Sequence, residues 1–76
     1  MAQQTKNAIR RAFIQLLNER PLDKISIKDI AETGAVNRNT FYYYYADIYA
    51  LVEDILQLEI QDFQSKLRRY DSWQEA

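Results

Sequence analysis

A chain of 76 residues, 47% apolar and 28% charged, has the composition of one small folded domain and no room for a second. With no cysteine and no histidine it lacks disulfides, thiol nucleophiles, Cys/His zinc sites and the usual imidazole base, which argues against an enzyme, a metal site or a cofactor. The net charge of −1 hides an asymmetry: residues 1–45 carry seven cations against four anions, a net of +3, and residues 46–76 carry three against seven, a net of −4. An anion-facing surface is therefore expected in the amino-terminal part. One glycine and one proline favour helices over tight-turned strands. No apolar run approaches the ~20 residues a bilayer span requires, and no basic start leads into an apolar signal core. A soluble, cytoplasmic, nucleoid-associated chain without a membrane partner is the expectation.

In chain order, Ile9, Ala12, Phe13, Leu16 and Leu17 recur at helical spacing and predict a first helix between Thr5 and Asn18. Pro21 ends it, and residues 22–25 read as a short connector. Ser26 and Asp29 have the spacing of a capping box, opening a second helix from about Ile27 to Thr33. Gly34 follows, where a helix carboxyl end calls for a residue that tolerates positive φ. Asn37 caps a third helix from about Arg38 to Tyr44, with Val36 and Phe41 as its hydrophobic staple. Asp47 caps a fourth from Ile48 to about Tyr70, with a tail beyond Tyr70 expected to fray.

Two short helices joined at the one glycine, packed behind a longer first helix, make a helix-turn-helix. Ile30, Ala31, Val36 and Phe41 can then all face inward, leaving Lys28, Arg38, Asn39, Thr40, Tyr42 and Tyr43 on the outer side. Arginine and asparagine are side chains suited to base edges, and lysine, threonine and tyrosine to phosphates. The amino end of the third helix adds backbone N–H groups and a positive dipole end. Tyr45 is expected to pack inward, and Arg10 and Arg11 are candidate phosphate contacts. Glu53, Asp54, Glu59 and Asp62 read as a solvated face of the long helix.

The stretch SIKDIAETGAVNRNTFYYYYADIYALVEDI, Ser26 to Ile55, resembles the DNA-binding domain of tetracycline-repressor (TetR/AcrR-like) transcriptional regulators. The resemblance rests on Ile30-Ala31, Gly34-Ala35-Val36-Asn37, Thr40-Phe41-Tyr42 and the tyrosines to Tyr45, and extends over roughly residues 5–63. Three positions depart from the family pattern: the glycine stands one place early, Asn39 replaces a frequent Gly or Pro, and Ile48 stands where many members have a phosphate-touching lysine.

The resemblance implies an all-α fold, with a three-helix helix-turn-helix (homeodomain-like) domain over residues 1–47 and a long connecting helix over residues 48–76. It implies a sequence-specific regulator of transcription, repression being the favoured mode, bound to double-stranded DNA at a palindromic operator. Arg38, Asn39 and Tyr43 would lie nearest the bases, and Thr40, Tyr42 and Tyr44 would hold phosphates, with Lys28 beside them. Family members continue past the fourth helix into a domain that supplies the homodimer interface and binds a small-molecule effector. The wide apolar arc of the fourth helix, including Leu56, Ile60, Phe63, Leu67 and Tyr70, favours the reading that this chain is part of such a protein. A small helical protein–protein interaction module without DNA binding is the alternative, distinguished by the absence of salt-dependent DNA affinity.

Overall fold

In the computed structural model each short helix begins at a side-chain cap. The structure describes the backbone of residues 2–75 and the side chains of residues 3–68. Helix α1 runs Ala2–Glu19, a 3-10 turn covers Leu22–Lys24, and α2 (Ile27–Thr33), α3 (Arg38–Tyr44) and α4 (Ile48–Glu75) follow. At α2 the Ser26 hydroxyl accepts from the Asp29 N–H at 3.1 Å, and the Asp29 carboxylate accepts from the Ser26 N–H at 3.0 Å. The Ser26 backbone N–H first, and then the Ser26 hydroxyl, hold the Asp29 carboxyl below the usual carboxylate range. Asn37 Oδ1 accepts from the Thr40 N–H at 2.8 Å, and Asp47 Oδ1 from the Ala50 N–H at 2.9 Å. Each cap satisfies a helix-end N–H that would otherwise depend on water.

Buried Ile9, Ala12, Phe13 and Leu16 of α1 meet Ile25, Ile30, Phe41, Tyr45 and Leu51 in one core. The inward residues of the helix-turn-helix lie as their spacing requires: Ile30 and Phe41 are fully buried, Ala31 is buried, and Val36 packs against the core. Leu17 departs from the expected stripe, standing at its solvent edge and exposed. The first turns of α4 complete the core through Leu51, with Ile48, Ala50, Val52 and Ile55 packed around it. Beyond them α4 outruns the head, giving the molecule extents of 50 × 29 × 18 Å. The helix continues to Glu75 instead of fraying after Tyr70. The side chain of Tyr70, assigned from sequence to the apolar arc, lies outside the described residues.

The turn between α2 and α3 corrects the sequence reading. Gly34 is right-handed, with φ of −84°, and the left-handed residue is Ala35, with φ of 57°. The Val36 N–H donates to the Ala31 carbonyl at 2.9 Å and the Ala35 N–H to the Glu32 carbonyl at 3.2 Å, the paired bonds of a Schellman closure that demand positive φ at residue 35. Gly34 meets a different requirement. A Cβ there would lie 3.3 Å from the Ala8 carbonyl oxygen and 3.4 Å from the Ala12 Cβ, so the missing side chain lets the end of α2 sit against α1.

Candidate nucleic-acid interface

Phe41 orients α3. It is fully buried, its ring centroid 5.7 Å from that of Tyr45, and this anchor turns the opposite side of the helix to solvent. Arg38, Asn39, Tyr42 and Tyr43 are all exposed there, Tyr43 at 82%. Lys28 reaches the same side from α2, where it lines a shallow cavity of about 360 Å³ with Glu32, Asn37 and Arg38. The surface therefore joins two cations, two amides and two phenols, with one carboxylate at its edge.

Two candidates sit differently. Thr40 is half-buried, and its hydroxyl donates to Asn37 Oδ1 at 3.1 Å. A phosphate oxygen is an acceptor, so holding one requires that hydroxyl to exchange partners. Tyr44 is also half-buried, resting against the core while its ring meets Tyr43 edge-on at 4.9 Å. Lys28, Arg38, Asn39, Tyr42 and Tyr43 are brought together in the open, whereas Thr40 and Tyr44 occupy the flank.

Behind α3 stands a polar cluster that no local spacing announces. Buried Tyr45 donates its hydroxyl to Asp54 Oδ2 at 2.5 Å, and Arg10 Nε reaches the same oxygen at 3.0 Å while Nη1 donates to Asn7 Oδ1 at 2.6 Å. Lys6 lies 5.7 Å from the Tyr45 ring centroid. Burial, with the Asp54 hydrogen bond and charge adding, raises the Tyr45 phenol to about 12. The Tyr45 hydrogen bond first, then Arg10, holds Asp54 below the usual carboxylate range against its partial burial. Arg10 is consequently committed to α4, its side chain only 12% exposed, which removes it from the candidate phosphate contacts, while Arg11 stays exposed. Asp54 in turn leaves the solvated face to which its spacing assigned it. The cluster ties α1, the end of α3 and α4 together, fixing the tilt of the outer face on the head.

Among the described residues no group of His, Cys, Asp and Glu could hold a metal ion, and no helix is long and apolar enough to cross a membrane. Residues 9–55 match the family described as bacterial regulatory proteins, tetR family. The uncharacterized HTH-type transcriptional regulator YxbF of Bacillus subtilis (strain 168) is 32% identical over 57 residues, which is 75% of this chain and 15% of that protein. The chain thus spans a small part of the length of the curated relative it matches. No solved structure matches it.

Proposed function

The chain belongs to the tetR family of bacterial regulatory proteins, DNA-binding regulators of transcription, and from that premise we propose that α3 lies in the major groove with Arg38, Asn39 and Tyr43 at the base edges. Lys28, Tyr42 and, at the flank, Thr40 and Tyr44 hold phosphates. The observation that carries this reading is the division of α3 into a fully buried Phe41 side and an opposite exposed side bearing arginine, asparagine and tyrosine. Arginine pairs bidentately with guanine, asparagine with adenine, and phosphate contacts set position without reading sequence. A single head offers few contacts, so tight binding requires two copies on a palindromic site with half-sites about one helical turn apart. Occupying that site excludes other proteins from it, the mode of a repressor.

The test is selection of preferred sequences followed by titration of variants. Arg38→Ala costs about 1–3 kcal/mol on the selected site and flattens preference at one base pair, while Tyr42→Phe weakens all sequences alike. The 76-residue chain on a single half-site binds in the non-specific range of about 10⁻⁴–10⁻⁶ M and loses affinity steeply with salt. Unchanged base preference in Arg38→Ala overturns the base-reading assignment, and salt-insensitive nanomolar binding by a monomer overturns the need for two copies.

A further inference from the structure

The carboxylate at the edge of the exposed surface has no role in the reading above. Glu32 is exposed and lines the cavity of about 360 Å³ together with Lys28, Asn37, Arg38 and the more buried Ala31 and Val36. The three charged groups of this cavity stay apart. Among the described residues the ion pairs are those of Arg10, Arg20 and Lys66, and none involves Lys28, Glu32 or Arg38.

A carboxylate at this position is unfavourable in two ways. Glu32 is the sixth of the seven residues of α2, so its charge stands at the negative end of the helix dipole, where a cation is favoured. Lys28, one turn earlier, compensates little, because a cation preceding an anion by four residues is the weaker order of such a pair. Glu32 also shares the side that meets a polyanion, and there a negative charge repels every phosphate. A group that helps neither its helix nor the general attraction of DNA acts by discrimination.

We propose that Glu32 is a specificity-determining residue whose carboxylate accepts from the N4 amino group of a cytosine beside the base read by Arg38, an inference that rests on the placement of α3 in the major groove. A carboxylate accepts hydrogen bonds and has none to donate. On the major-groove edge guanine and thymine offer acceptors, adenine sets an acceptor beside its amino group, and cytosine alone presents an amino donor without one. Cytosine is therefore the edge at which Glu32 regains what it loses against phosphate. At any other base the charge is desolvated without a partner, so the residue selects by penalty as well as by attraction. Lys28 and Arg38 keep the cavity positive, two cations against one anion, and the domain still approaches DNA.

Selection from a randomised duplex library with the 76-residue chain at low salt, then titration on the selected half-site and its single-base variants, tests the proposal. For the wild type, replacing one cytosine costs about tenfold in affinity. In Glu32→Gln the new amide suits the N6 and N7 of adenine, so preference at that base pair moves from cytosine toward adenine, while Glu32→Ala shows no preference there. Both variants bind a duplex of adenine and thymine alone more tightly than the wild type, because a repulsion is gone. Both also melt at or above the wild-type temperature, which a carboxylate needed for the fold would not permit. Cytosine preference surviving in Glu32→Ala overturns the assignment, and so does tighter binding to all duplexes with no change of preference in Glu32→Gln. Arg38→Ala in the same selection separates the two readings. If it flattens its own base pair while the Glu32 variants keep the wild-type preference, the role of Glu32 alone falls; if all three variants keep it, base reading by α3 falls as well.

Discussion

The two halves of α4 look alike in sequence and differ in what surrounds them. From Ile48 to Ile55, Leu51 is fully buried and Asp54 is tied to Arg10 and Tyr45, whereas from Leu56 to Leu67 every large apolar side chain is open. Both halves repeat apolar residues at helical spacing. Only the first is packed into the core with α1 and α3, so only there does periodicity become burial; Leu56, at the boundary, shares an open groove with Ile14 and Leu17 of α1. An amphipathic pattern states that a face must be covered; which element covers it is settled by where the neighbours end.

Substitutions that treat the halves identically sharpen the contrast. Leu51→Ala leaves a cavity in the core that also holds Ile9, Phe13 and Phe41 and lowers stability by about 2–5 kcal/mol, read from the urea midpoint of a Tyr or helicity signal. Next in size is Asp54→Asn, which removes the charge that Arg10 and the Tyr45 hydroxyl share; a loss of about 1–3 kcal/mol is expected in the same melt. The same cluster sets pH limits. The lowered Asp54 pKa contributes stability above the unfolded carboxylate value, and that contribution is lost as pH falls through the folded value. For Tyr45, raised to about 12, the contribution is complete below the unfolded phenol value of about 10 and is lost as pH rises from there toward 12. Thermal melts across pH should show both edges, and Tyr45→Phe should remove the alkaline one. The smallest effect belongs to the outer half: Leu67→Ala changes the stability of the dilute monomer by less than about 0.5 kcal/mol. A loss there as large as that of Leu51→Ala would mean that the outer half is packed after all.

Much of this architecture was legible because its signals are local. Ser26 with Asp29, Asn37 with Thr40 and Asp47 with Ala50 are caps spanning three residues, and they mark the starts of α2, α3 and α4 as the structure has them. The outward set on α3 follows from Phe41 by helical geometry alone. The cluster of Arg10, Tyr45 and Asp54 was not legible, since its partners are separated by as many as 44 residues and no period links them. The left-handed residue was misassigned for a related reason. Gly34 is in the chain for its nearness to Ala8 and Ala12, a tertiary demand, while the conformational demand falls one residue later, on an alanine.

That division of labour constrains how a lineage carrying this domain can change. At position 34 a side chain would crowd the Ile30 and Ala8 carbonyl oxygens at 3.2 and 3.3 Å and the Ala12 Cβ at 3.4 Å, so any larger residue requires α1 and α2 to give by a few tenths of an ångström. Position 35 is open in the other direction: an alanine held at φ of 57° costs about 1–2 kcal/mol that a glycine would not, so one substitution releases a reserve of stability. If α3 reads the bases as proposed, new operator preferences arise by replacing its exposed side chains, and those replacements that disturb the Asn37 cap or the helix itself weaken a small fold. A glycine acquired at position 35 would let the domain absorb one of them, making the turn a permissive site for change in the base contacts proposed for α3.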